Sequence, residues 1–517
     1  MHHALDLTEI LLRIATYLSA SELSICATTC KPWNDLFLPL LYRTISLKWN
    51  SKISLEALEK HAHLVRDLGI AGNIPAQFYW IPYTRLTRLS FDYFYRNNRW
   101  DLCAQLIRCQ QQSLEHMSLA MPCKASKAVW EAIAGCSRLD SLSVKGTYLD
   151  AEHFPCFWDA CSQVTQLTLQ CMNMSWIRFI PPNDRSSRDT GRYILGNNSN
   201  EHAELDRLWQ LDWPSLKVKQ LALTMNNAGI VLGHHRKGFQ FRLLEKCPDL
   251  ISLDWRSFEG DTLDFDLFAQ AMATTSSSSS SPTETNPFPH LSRLNCSSSA
   301  AIGDQVASIV ESLVAPLQLL HVYQPNDAAG ERLVQSIHSH LSSLTSVDLS
   351  YILSMDRATV QTVLTSSPLL EVLVAGAVSV QDMMQGPPWV STRLRRLSVF
   401  FDMGGMVPEN GSDIILVQLQ MNRNVQLQFT ERGVKADQFL DFSLRGGLEM
   451  LSTLKRLEYV RLPVEKPVCQ CYGVEDVEWI LRAWPRLRGI DGELHPSPVV
   501  YDELKQMFES GGVLVIK

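Results

Sequence analysis

A six-residue frame recurs along most of this chain: apolar, two others, apolar, one other, apolar. It constrains the fold more than any other feature. It is written as Val65-Arg66-Asp67-Leu68-Gly69-Ile70, again as Leu86-Thr87-Arg88-Leu89-Ser90-Phe91, and again from Leu114, Leu139 and Val164. Further copies start at Val218, Leu250, Leu291, Leu317, Leu344, Leu370, Leu394 and Leu457, with a worn copy at Leu487–Ile490, which makes fourteen starts. Alternation puts the fourth and sixth residues on one face of a short strand, and the first residue turns into the same core. A single unit cannot bury that face alone, but stacked units can. Starts at 86, 114, 139 and 164 lie 28, 25 and 25 residues apart, and those at 291, 317, 344, 370 and 394 lie 26, 27, 26 and 24 apart.

Between frames the apolar spacing is helical, as in Lys127–Ala134, Gln305–Leu313, Glu331–Ser339 and Ala358–Leu364. Several of these stretches end in a small residue, then Ser or Pro, before the next frame: Cys136-Ser137, Cys161-Ser162, Cys247-Pro248, Ser367-Pro368. Proline cannot continue a helix, and a buried cysteine acts as a small hydrophobe. The period and this layout resemble the leucine-rich repeats, in particular their cysteine-containing subclass. The fold expected is therefore α/β, a solenoid with a parallel sheet on the concave side and helices on the convex side. Gaps in the period predict insertions near 181–204, 274–289 and 402–450. The second holds six serines, Ser276–Ser281, and Pro282, Pro287 and Pro289; it reads as a loop whose removal leaves stability nearly unchanged. In the third, Ile414–Gln420 and Val425–Phe429 read as extra strands.

The first fifty residues follow a different pattern. Residues 5–50 read as three short amphipathic helices: Ile10, Leu11, Ile14 and Leu18 form one stripe, Ser21 precedes Leu23, Ile25 and Cys26 as a candidate N-cap, and Pro32 and Pro39 bracket another short helical turn around Trp33, Leu36 and Phe37. So short a segment buries little by itself, and apolar residues on more than one face point to a partner. Glu9-Ile10-Leu11, Tyr17-Leu18-Ser19 and Cys30-Lys31-Pro32-Trp33 resemble an F-box, the helical module that docks a substrate receptor onto the Skp-type adaptor of a cullin–RING ubiquitin ligase. The family usually has Leu-Pro before its Glu-Ile-Leu, and here the proline is Thr8. The resemblance implies that Leu7, Ile10, Leu11, Ile14, Leu18, Leu23, Cys30, Trp33 and Leu36 pack within the module and against the adaptor. The domain plan is an F-box over 1–50 and a solenoid over 51–517, as in fungal F-box proteins. Ala483-Trp484-Pro485-Arg486-Leu487 resembles that group's terminal repeat.

Composition narrows the function. Of 517 residues, 45% are hydrophobic and 20% charged, which suits a folded chain, and a net charge of -7 does not indicate a broad nucleic-acid-binding face. No basic leader followed by a long apolar run opens the sequence and no run of membrane-spanning length occurs, so thirteen scattered cysteines read as free thiols in a reducing compartment, cytoplasmic or nuclear. No phosphate loop, nucleophile elbow or zinc-protease motif is present, and no cofactor or metal is expected. Cys469-Gln470-Cys471 lacks a second pair at zinc spacing, His234-His235 reads as a solvated helix entry, and Cys103 and Cys109 read as core.

The reading is thus a non-catalytic substrate receptor in which the E2 and RING partners transfer ubiquitin and this chain supplies proximity. Its target, an unidentified protein, would meet the third and fifth residues of the frames, with Arg88, His116, Arg293, His321, Arg396 and Tyr459 as candidates and an aliphatic spot at Leu319, Val372 and Val374. A repeat scaffold outside ubiquitin transfer is the alternative.

Overall fold

The structure is a computed structural model. It describes residues 8–51, 53–92, 99–120, 125–146, 152–170, 177–178, 194–195, 213–225, 239–257, 266–272, 288–298, 302–323, 330–349, 357–402, 448–461, 472–492, 494–495 and 497–516. The chain forms two compact units, Met1–Leu267 with Thr285–Leu291, and Phe268–Glu284 with Ser292–Lys517.

The first unit opens with three helices, α1 (Thr8–Ala15), α2 (Ala20–Thr29) and α3 (Lys31–Arg43). They close on one small core of Leu11, Ala15, Leu23, Ala27 and Phe37, against which Leu18, Cys26, Trp33, Leu36, Leu40 and Leu41 pack. The cap of α2 is Ser19, not Ser21. Its hydroxyl accepts from the Glu22 amide, and the Glu22 carboxylate takes the Ser19 amide back at 2.7 Å, so two of the helix's orphan donors are satisfied reciprocally. The third helix is longer than the stretch between Pro32 and Pro39: Pro32 sits in the first turn of α3, where its missing N–H costs nothing, and α3 runs on through Pro39 to Arg43. Asn34 ties the two helices by donating to the Ala27 carbonyl at 2.8 Å.

Parallel strands follow directly. In the first unit they are β1 (Thr44–Lys48), β2 (Asp67–Ala71), β3 (Arg88–Asp92), β4 (His116–Ala120), β5 (Ser141–Lys145) and β6 (Gln166–Gln170). A two-stranded antiparallel ribbon, β7 (Ile177–Arg178) and β8 (Ile194–Leu195), separates these from β9 (Gln220–Met225) and β10 (Ser252–Ser257). β6 pairs directly with β9, so the repeat resumes in register after the interruption. The second unit carries β11 (Arg293–Ser298), β12 (Leu319–Tyr323), β13 (Ser346–Asp348), β14 (Val372–Ser379), β15 (Arg396–Asp402), β16 (Tyr459–Arg461), β17 (Gly489–Asp491) and β18 (Leu514–Ile516), each pairing parallel with the next. Helices such as α5 (Trp100–Cys109), α6 (Lys127–Ala134) and α7 (Phe154–Ser162) connect them, after the short α4 (Leu55–His61).

Backbone chemistry explains why the frame's second position has no fixed residue type. The Arg66 carbonyl accepts from both Thr87 N and Arg88 N, at 2.8 and 2.9 Å, and the Thr87 carbonyl accepts from Glu115 N and His116 N. The same fork recurs at Glu115, Asp140, Thr165 and Lys219, and in the second unit at Ser292, Gln318, Thr345, Glu371, Arg395 and Glu458. Each of these is a second-position residue that contributes its carbonyl oxygen, so the side chain is free to vary. The fourth and sixth residues are buried, as in Leu142 and Val144 or Leu320 and Val322. The helix-end cysteines are interior: Cys136 and Cys247 donate to the carbonyls of Ala132 and Leu243, and burial pushes both thiols up to about 12. Cys103 is interior too, but Cys109, in the last turn of α5 and turned away from Cys103 and Ile107, is exposed.

Several expectations shift at their edges. The sheet starts at Thr44, ahead of residue 50, so the helical module feeds straight into the first strand. The repeat resembling a terminal one is followed by another helix, Pro498–Ser510, and by β18. Phe288, inside the loop read as dispensable, is 1% exposed. Removing Ser276–Pro289 therefore deletes a core side chain. Phe288→Ala alone should cost about 3–5 kcal/mol, read as a lower urea midpoint, against no measurable change for Ser278→Ala. The candidate strands 414–420 and 425–429, the Cys469-Gln470-Cys471 and His234-His235 motifs, and Leu7 lie outside the described residues.

Candidate functional site

Two surfaces carry residues of interest. On the helical module, the eight described positions of the nine singled out divide by depth. Leu11 and Leu23 are interior, Leu18, Trp33 and Leu36 are half-buried, and Ile10, Ile14 and Cys30 are exposed. Trp33 is fixed by Phe37, edge to face with centroids 5.6 Å apart. Around this core, apolar side chains remain in solvent: Ile10, Leu12 and Ile14 at 39–40% exposure, Ile25 at 67% and Tyr17 at 79%. Of these, Leu12, Tyr17 and Ile25 are not among the adaptor-contact candidates named from sequence. Their signal is negative: each is apolar where α1 and α2 have already filled the inward stripe. The described part of the module thus closes its own core and leaves five large apolar side chains exposed.

The second surface is the open face of the sheets. The frames place their third and fifth residues there as rows. In the first unit one row runs Thr44, Asp67, Arg88, His116, Ser141, Gln166, Gln220, Ser252, and the next runs Ser46, Gly69, Ser90, Ser118, Ser143, Thr168, Ala222, Asp254. Thr44, Ser46, Ser90, Ser118, Ser141 and Ser143, with Asp67, Arg88 and His116 among them, line a concavity of about 480 Å³ over β1–β5. Arg88 and His116 are register partners there, and Arg88 is held by Asp67 at 2.8 Å.

In the second unit the rows run Arg293, Leu319, Ser346, Val372, Arg396, Tyr459, Gly489, Leu514, and Asn295, His321, Asp348, Val374, Ser398, Arg461, Asp491, Ile516. The register brings Arg396 and Tyr459 together, with the guanidinium 5.2 Å from the ring centroid. It does not join either to Arg293 or His321, which lie on β11 and β12, and His321 instead meets the Ser346 hydroxyl at 2.9 Å. Leu319 is separated from Val372 and Val374 by β13.

Sequence reading missed Gly489 and Asp491. The Tyr459 hydroxyl donates to Asp491 Oδ2 at 3.2 Å, and Arg461 Nε meets the same oxygen at 3.3 Å. Burial, then the Asp491 charge, raises the Tyr459 phenol above its ordinary range. A Cβ at Gly489 would stand 2.9 Å from Tyr459 Cδ2, so the ring lies over bare backbone. Both residues are the third and fifth positions of the worn frame at Leu487, whose sixth position is Gly492 at φ 139°, and that glycine broke the apolar pattern.

Among the described residues no group of three or more His, Cys, Asp or Glu side chains is placed to hold a metal, and no helix is long and apolar enough to cross a membrane. Residues 8–48 match the F-box-like family model. No curated protein matches the chain significantly. Among solved structures, the chain is similar to the Arabidopsis receptor kinase HAESA in complex with the peptide hormone IDA and the co-receptor SERK1, at 9% identity, covering 92% of this chain and 78% of that chain with a TM-score of 0.24. The F-box-like module and the leucine-rich-repeat architecture are thus both present, the first by its family match and the second by the strand register above.

Proposed function

We propose that this chain is the substrate-recognition subunit of a Skp–cullin–F-box type ubiquitin ligase. The module over residues 8–48 docks on a Skp-type adaptor, the repeats hold a protein target, and transfer is performed by the cullin–RING and E2 partners. The observation that carries this reading is the rim of Ile10, Leu12, Ile14, Tyr17 and Ile25, left in solvent around a closed core in the segment that matches the F-box-like model. The chain itself is non-catalytic in this scheme and acts by effective concentration.

Leu11→Asp is a poor test, because Leu11 is interior and its loss unfolds the module. Co-expression of the full chain with a Skp-type adaptor, followed by reconstituted ubiquitin transfer to a bound partner, is the better one. The expected result is a stable pair whose addition to cullin, RING and E2 modifies the partner. A stable pair with no transfer assigns the chain to the scaffold reading, and no pair at all removes the ligase reading.

A further inference from the structure

Of the described arginines around strands β14–β16, three have acidic partners and two, Arg396 and Arg456, do not. Arg393 meets Glu371 at 3.4 Å, Arg395 meets Glu458 at 2.8 Å, and Arg461 meets Asp491 at 3.3 Å. Arg396 has no carboxylate among the described residues. It is exposed, and what holds it is the Tyr459 ring. That ring is itself fixed from three sides: its hydroxyl is tied to Asp491, Asp491 is tied to Arg461, and bare Gly489 backbone lies beneath its edge. A guanidinium stacked on a ring keeps its in-plane N–H donors free for a planar bidentate acceptor. A surface arginine without such a brace loses conformational freedom on binding, whereas this one has already lost it.

Its neighbours narrow the ligand. On the strand before it stand Val372 and Val374, half-buried and aliphatic, while Ser398, two residues on, is buried, so the arginine and the two valines are what this stretch of the face presents. We propose that Arg396, braced by Tyr459, receives the carboxylate of an aspartate or glutamate side chain in an extended partner peptide, with an aliphatic residue of that peptide resting on Val372 and Val374. The proposal deepens the substrate-receptor reading and rests on it for biological meaning, but the site is testable without the ligase. Asp491 is engaged by Tyr459 and Arg461, so among the described residues the charge left unmatched beside Tyr459 is the positive one of Arg396, which complements an acidic side chain.

The test uses the full chain and three matched pools of synthetic nonapeptides. Each has a central Glu, Gln or phosphoserine flanked by randomised positions that include Leu and Val. Binding is read by fluorescence anisotropy at two salt concentrations, and adaptor binding is measured on the same preparations. The Glu pool should bind more tightly than the Gln pool, and higher salt should weaken it. Arg396→Ala should reduce Glu-pool affinity about 10- to 100-fold, the range of a charged bidentate pair. Arg396→Lys should recover little, because an ammonium lacks the planar fork. Tyr459→Phe keeps the ring but frees it from Asp491, and should cost less than Arg396→Ala. Equal binding of the Glu and Gln pools, or an unchanged Arg396→Ala, overturns the proposal. Preference for phosphoserine over Glu that Arg396→Ala abolishes overturns the choice of carboxylate. Loss of adaptor binding with the peptide result intact would instead sink the ligase reading alone.

Discussion

Trp158→Ala is expected to destabilise the first unit by about 3–5 kcal/mol, read as a lower urea midpoint. Trp158 is wholly buried in α7. Its ring packs on Phe154 and Trp213 at centroid distances of 5.7 Å each, and its Nε1 donates to the Pro214 carbonyl at 3.2 Å. Truncation opens a cavity that rigid neighbouring aromatics cannot fill, and it leaves a carbonyl without its donor. The location matters as much as the size. Trp213 and Pro214 begin the stretch that leads back into β9 after the interruption following β6, so Trp158 fixes where the repeat resumes. Trp158→Phe, which keeps most of the ring volume but drops the donor, should recover more than half of the loss. A cost below about 1 kcal/mol for the alanine variant would mean that the returning chain is held by something else.

The double substitution Ile14→Asp with Ile25→Asp should abolish adaptor docking, lowering affinity by about 100-fold or more, while leaving the fold intact. Both side chains are exposed, at 40% and 67%, so neither contributes to the Leu11–Phe37 core. Burying an unpaired carboxylate in a partner's apolar groove costs several kcal/mol unless it is neutralised or paired. Circular dichroism and the urea midpoint of the variant should match those of the parent. The control is Lys31→Ala, exposed on the same module and outside the apolar rim, which should bind normally. If the double variant binds like the parent, the rim is not the docking surface.

The repeat was legible because it depends on burial alone. Fourth- and sixth-position residues such as Leu142 and Val144 must be apolar, and that requirement writes itself into every copy. Strands β1 and β18 escaped notice for the complementary reason. Ile45 and Leu47 sit in a segment claimed by the helical module, and in β18 the apolar run Val513-Leu514-Val515-Ile516 has no alternation to reveal it. Capping was half legible: Ser19 and Glu22 have capping-box spacing, but Ser21 is an equally good cap by type, and only backbone geometry separates them. Cys109 misled because it has apolar neighbours in a helix, whereas its six-residue spacing turns it about 120° around the helix from the buried Cys103.

The open face was legible as a set of positions and illegible as chemistry. Arg396 and Tyr459 are more than sixty residues apart in sequence, so nothing local links them, and the register of β15 with β16 makes them neighbours. Asp491 stands in a copy too eroded to supply its fifth position with certainty of phase. Phe288 shows the same limit from the opposite side: it lies in Pro287-Phe288-Pro289, a setting that reads as loop, and yet its ring is interior.

Titration of the purified full chain with a Skp-type adaptor by isothermal calorimetry measures the central claim most directly. A one-to-one complex of micromolar affinity or tighter, with the negative heat-capacity change of apolar burial and its loss in the Ile14→Asp, Ile25→Asp chain, is the predicted result. No heat of binding from a folded chain at tens of micromolar adaptor would contradict the account.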